Sequence, residues 1–303
     1  FRTGEDNPLN HTTEHIGHFY TLSPNVKKQL FLHGGIPKSY EIQLQTFAES
    51  CLMIRQPSLD IINCMKSIDY SKPVVRFVNS EFKPGSIDLN MDAAAWLMHF
   101  KHQNSHMLNN PDLKVSQDYV WSKREMTSKD SPLIELIDHG INRVKFSSQC
   151  VVALAEEIKN FSKEGKCKTL VAIDGYNAFF YPNTRILTDK KEVVHPNNVT
   201  MTEAFLNLTR FDWSNAVVVV TVDELAIAEK DQICHLPHYL LGKSGFEHLD
   251  PFVPVPVLPY SEKEFKSCMD YFRERRWVLP LNGQDEELQF LSGGNPYRLM
   301  QLC

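Results

Sequence analysis

Asp174 has the clearest chemical setting in this sequence, at the end of the run TLVAIDG from Thr169 to Gly175. Apolar residues that deliver a carboxylate to the carboxyl end of a sheet strand are how nucleoside-triphosphate-binding folds hold Mg²⁺, directly or through water. Ligands of open α/β sheets bind along that edge. The competing reading is structural: a buried strand whose terminal aspartate starts a turn with Gly175, a common pattern in α/β proteins.

Other residues offer chemistry on weaker patterns. His11, His15 and His18, like His99, His102 and His106, recur three or four residues apart, so each set could share a helical face and bind a metal. No cysteine accompanies either set and Gly17 interrupts the first, so solvated histidines are expected. Cys234 and His235, with His238, lack an assignable Asn or Asp partner for a nucleophilic site, and a structural use is expected. The triplet Gly242-Lys243-Ser244 is preceded by Pro237 where GxxxxGK[ST] requires glycine, and no strand leads into it. It is not expected to be a phosphate loop. Lys123-Arg124 beside Trp121, and the run Arg273 to Trp277, join cations to an aromatic ring. Such clusters suit RNA phosphates with a stacked base, or equally a solvated face with its tryptophan in the core.

The elements that must position these residues are legible from periodicity. TLVAI and Ala216 to Val220 are near-continuous apolar runs, as in strands of a parallel sheet covered on both faces. Val74 to Val78 reads as an earlier strand, and Phe252 to Leu258, with two internal prolines, as an edge strand. Helices are expected from about Ser39 to Arg55, from Pro57 onward, and from Ser131-Pro132 until Gly165. A capping box at Ser261 and Glu264 starts another, and Asn295-Pro296 opens the last.

With 303 residues, 42% of them apolar, the chain has material for one large core or two modest ones. Its 32 basic and 37 acidic residues give a net charge of −5, which excludes a coat of nucleic acid over most of the surface and leaves room for local basic patches. Seven cysteines without a CxxC pair point to neither a disulfide framework nor a zinc knuckle. A reducing compartment is expected, and the sequons at Asn10, Asn198 and Asn207 read as chance matches. No apolar run approaches membrane-spanning length. The chain opens with Phe1, as expected of a piece of a longer or processed product.

Strand, helix and lid in this order imply an α/β fold: an AAA-like P-loop NTPase core with a parallel sheet, an extended N-terminal arm and a small helical C-terminal lid. The expected divisions are an arm at 1–38, a core at 39–258 and a lid at 259–303. A phosphate loop should follow Val78, yet Asn79-Ser80-Glu81 comes next, so the loop and a second strand are expected to be missing from the sequence between 78 and 79. A glutamate that would activate water is replaced by Gly175, which favours nucleotide binding over rapid turnover.

The segments HGGIPKSYEIQLQTFAESCLMIRQPSLDII, YVWSKREMTSKDSPLIELIDHGINRV, LVAIDGYNAFF, LLGKSGFEHLDPFVPV and FLSGGNPYRL together resemble the death-associated protein 3 family over nearly the whole chain. The resemblance implies a structural protein in the head of the mitochondrial small ribosomal subunit, in the mitochondrial matrix, that binds GTP or GDP with Mg²⁺. It implies partners in small-subunit rRNA, neighbouring mitoribosomal proteins and the large subunit across the intersubunit face, together with a link to apoptosis. On the same resemblance Asp174 takes the Walker B position and would hold the metal, Thr221 takes a sensor position, and Arg298 is a lid-side nucleotide contact. The alternatives are an active GTPase or ATPase that switches during ribosome assembly, and a free adaptor in cell-death signalling.

Overall fold

Among the described residues three apolar clusters organise this chain. The computed structural model describes every residue except 33–34, 71–86, 182–185, 189, 211, 224–226 and 228–233. The Val74 to Val78 strand and the 78/79 junction lie outside the described residues. Contacts gather the chain into two units, Phe1–Ile68 with Pro254–Cys303, and Asp69–Val253.

In the first unit, β1 (Phe19–Thr21) pairs antiparallel with β2 (Cys51–Met53), Phe19 opposite Met53 and Thr21 opposite Cys51. The segment from Ser39 to Arg55, expected as one helix, is a helix only over Lys38–Phe47. Ala48 then takes the left-handed conformation, with φ 51°, which stops the helix and releases β2 to pair. A second helix, Gln56–Ser67, has Pro57 in its first turn, where the missing N–H costs nothing.

The stretch read as an arm supplies Phe19 to a core shared with Phe47, Cys51, Phe265, Met269 and Phe272. Phe19 stacks on Tyr271 with ring centroids 4.3 Å apart, and Phe47 stacks on Phe272 at 5.4 Å. The helix Glu262–Glu274 carries those aromatics and starts with the expected capping box, Ser261 N–H donating to Glu264 Oε2 at 2.8 Å. Arg2 clamps Glu49 through both terminal nitrogens, at 2.9 and 3.0 Å, and its Nε donates to Glu274 at 2.9 Å. Phe252 to Leu258 is not a strand: its prolines remove ladder donors, and it runs as irregular chain.

The second unit is mixed α/β. Among the described residues its strands are an antiparallel hairpin, β3 (Tyr119–Ser122) with β4 (Glu125–Thr127), and a parallel pair, β5 (Thr169–Ile173) with β6 (Ala216–Val220). The long apolar stripe after Ser131 forms two helices, Leu133–Asn142 and Ser147–Lys163, the second followed by Gly165 at φ 71°. They pack with the helix Asn90–Gln103 around Leu97, Leu136, Ile137, Cys150, Leu154 and Phe161. Burial pushes the Cys150 thiol up to about 12, so it is a packing group and not a nucleophile.

At Gly140 these helices pack with no room for a side chain. A Cβ there would stand 2.5 Å from Leu97 Cδ1 and 2.8 Å from the Cys150 Cβ. Gly140→Ala is therefore expected to cost about 1 to 3 kcal/mol through overpacking, despite alanine's better helix propensity. Urea unfolding checks this: an unchanged midpoint would mean that the helices separate freely.

Candidate functional site

β5 and β6 lie side by side in parallel, Thr169 opposite Ala216 and Ile173 opposite Val220. That register brings the two residues after the strands, Asp174 and Thr221, to the same carboxyl edge. Thr221 Oγ1 donates to Asp174 Oδ1 and accepts from Gly175 N–H at 2.9 Å. The Thr221 backbone continues the pairing: its N–H donates to Ile173 O at 2.9 Å, and its carbonyl accepts from Tyr176 N–H at 2.8 Å. Gly175, at φ 62°, then turns the chain into a short 3-10 helix, Tyr176–Phe179.

This turn is held from beneath. Tyr176 is buried with Leu206, Leu241 and Leu249, and its hydroxyl lies 2.9 Å from Thr209 Oγ1. Asn177, also buried, donates from Nδ2 to Asp223 O at 2.6 Å and to Leu240 O at 3.1 Å, and accepts from Asp223 N–H at 3.3 Å. Asp223 is thereby placed at the same edge, its Oδ2 3.8 Å from where a Cβ on Gly175 would stand. Sequence reasoning missed Asn177 and Asp223. Their only local signal is position, three residues past one strand-end aspartate and two past Thr221.

The edge thus offers an exposed carboxylate oriented by a hydroxyl, with a second carboxylate close by. Mg²⁺ held by one or two carboxylates plus phosphate oxygens and water fits such a donor set. Among the described residues no cluster of three or more His, Cys, Asp or Glu side chains could hold a metal by itself. His11 is not solvated but buried, its Nε2 2.8 Å from Glu5 O and its ring against Tyr20. Arg298, the third expected contact, belongs to the first unit, on the helix Pro296–Leu302, where its backbone N–H donates to the Asn295 cap at 3.0 Å. Gly242-Lys243-Ser244 lies at a kink within the helical segment Pro237–Leu249, Gly242 itself non-helical at φ 64°, with Lys243 3.9 Å from Glu247.

The cationic run from Arg273 to Trp277 is occupied by its own unit. Arg273 pairs with Asp285, Arg275 binds Phe47 O, and the Trp277 ring packs 5.6 Å from that of Phe47.

The model of the family described as mitochondrial ribosomal death-associated protein 3 matches residues 61–302, a span that includes Asp174, Thr221 and Arg298. The chain belongs to this family. It is 31% identical to the small ribosomal subunit protein mS29 of Bos taurus, over 350 aligned positions covering 100% of this chain and 87% of that protein. The mS29 protein of Mus musculus is 29% identical, with 100% of this chain and 88% of the mouse protein covered. Because the alignment runs to 350 positions and this chain has 303 residues, the family relative has residues inside the matched span that this chain lacks.

Proposed function

We propose that this protein is a structural component of the small ribosomal subunit in the mitochondrial matrix, and that it carries a guanine nucleotide as a structural ligand. Membership of a mitochondrial ribosomal family, with likeness to two small-subunit proteins along the whole chain, carries the ribosomal half. Its partners are then rRNA at local basic surfaces, neighbouring subunit proteins and the large subunit across the intersubunit face. Among the described residues no helix is long and apolar enough to cross a membrane.

The nucleotide half rests on the Asp174–Thr221 pair at the carboxyl edge of the parallel strands β5 and β6. GTP or GDP would bring its own phosphate oxygens to Mg²⁺ at Asp174. Gly175 stands where hydrolysis wants a water-activating glutamate, so the nucleotide stabilises the fold by binding and need not turn over. No GxxxxGK[ST] run occurs in the sequence. The nucleotide half therefore requires a loop-bearing segment, expected between Val78 and Asn79, that this sequence does not contain.

Sedimentation of mitochondrial lysate tests the ribosomal half: the protein is expected with the small subunit, and confinement to light fractions would overturn it. A tryptic map tests the loop. Recovery of one peptide from Phe77 to Lys101, intact because Lys83 precedes proline, would refute nucleotide binding and leave a scaffold. With the loop present, GTP and Mg²⁺ should raise the melting temperature of the wild type but not of Asp174→Ala. Sustained phosphate release by the wild type would favour the switch reading instead.

A further inference from the structure

The β3–β4 hairpin turns through Lys123 and Arg124, both exposed. Its inner face is fixed by a ladder of rings. Tyr119 stacks on Trp121 at 5.7 Å, Trp121 on His139 at 5.4 Å, and His139 on Phe146 at 5.8 Å. The Trp121 indole also donates to Thr127 Oγ1 at 2.9 Å. Trp121 is thus committed to packing and is no platform for a base.

The same ladder brings the corner after the helix Leu133–Asn142 against the hairpin. Arg143 Nε reaches Glu125 Oε1 at 2.9 Å, and Lys145 Nζ reaches Glu125 Oε2 at 3.5 Å. The Arg143 and Lys145 side chains remain 61% and 66% exposed. Lys123 and Arg124 make no ion pair among the described residues. The hairpin tip and the corner thus carry four cations, two of them paired with Glu125, on a chain whose net charge is −5.

Beside them the cross-strand partners Val120 and Met126 point outward, 70% and 55% exposed. Of two further acids, Asp138 pairs with Lys101 at 2.5 Å, and Asp118 accepts from Lys129 N–H at the open end of the hairpin, away from the tip.

We infer that this hairpin tip, with the Arg143–Lys145 corner, is a docking surface for the phosphate backbone of structured RNA. Exposed cations on the hairpin tip and the adjoining corner can neutralise backbone phosphates, and Val120 with Met126 supplies apolar contact to sugars. Trp121 is engaged by Tyr119, His139 and Thr127 and not offered to a base, so recognition is by backbone and shape. The choice of RNA among polyanions rests on the ribosomal reading above; the cation cluster itself does not.

The test is fluorescence anisotropy of the full chain with a labelled RNA hairpin across a salt series. Lys123→Ala/Arg124→Ala removes two phosphate-binding cations, and should make the slope of log affinity against log salt shallower by about 1.4 to 1.8. Glu125→Gln, which removes the one carboxylate, should tighten binding, and changing the stem sequence should leave the wild-type affinity unaltered. The surface is overturned if the double variant binds like the wild type, or if the wild type does not bind RNA. It is also overturned if the wild type prefers polyglutamate to RNA at equal salt, which would assign the tip to an acidic protein. A protein that binds RNA through this tip yet sediments away from the small subunit sinks the ribosomal reading alone. One that sediments with the subunit while the double variant binds RNA unchanged sinks this surface alone.

Discussion

Replacing Glu264 by alanine is expected to cost about 3 to 5 kcal/mol, because it breaks a buried ion pair from one side. The Glu264 side chain is 6% exposed, and its Oε1 accepts from Arg55 Nε at 2.9 Å. Its Oε2 closes the capping box on Ser261. Alanine leaves the Arg55 guanidinium facing a void, with only the carbonyls of Leu258 and Pro259 still accepting from it. Thermal unfolding of the single variants and of Arg55→Met/Glu264→Leu measures the coupling. The double variant should recover much of the loss, since an apolar pair carries no desolvation penalty. Additive single effects would show that the two side chains do not depend on each other.

The pair also sets a pH dependence. Burial alone would raise the Glu264 carboxyl, but hydrogen bonds from Arg55 and Ser261 outweigh it and hold the group below its usual value of 4.5. A carboxyl with a folded-state pKa below its unfolded one contributes stability above the unfolded value and loses it as the pH falls through the folded one. The deficit of Glu264→Ala should therefore be full at neutral pH and shrink on acidification below 4.5. A deficit independent of pH would assign the loss to packing.

What could be read from the sequence and what could not divide by the range of the interactions. Asp174 was legible because it ends a continuous apolar run, and Thr221 came from the family resemblance; the parallel register puts the two strand ends together. The Ser261 capping box was legible because both its bonds span three residues. Ala48 was not, because nothing in its type announces a left-handed residue, and the strand it releases is three residues long with a partner 30 positions away. Asn177 is a buried polar residue in a single 3-10 turn, and its partners Asp223 and Leu240 lie 46 and 63 residues off. Lys123 and Arg124 were visible as a pair, whereas Arg143 and Lys145 join them only through a ring ladder that spans the hairpin and a helix corner. The basic run at Arg273 shows the converse: a promising local pattern absorbed by partners distant in sequence.

Asn177→Leu is the sharper test of the nucleotide edge, because it leaves Asp174 and Thr221 in place and removes what holds the segment after β6. Asn177 is 0% exposed, and its amide satisfies two carbonyls and one N–H. Leucine keeps the volume but removes three hydrogen bonds to those backbone groups, at a cost of about 2 to 4 kcal/mol. Asn177→Asp is expected to be no better, since a carboxylate would face the Asp223 and Leu240 carbonyls without a donor to offer them. Beyond the fall in melting temperature, amide exchange should separate two outcomes. The Asp223 N–H should lose protection, while the Thr221 N–H, bonded to Ile173 O within the parallel pairing, should keep it. If both amides stay protected and the melting temperature holds, the Asn177 side chain is a passenger and the edge is maintained by β5 and β6 alone.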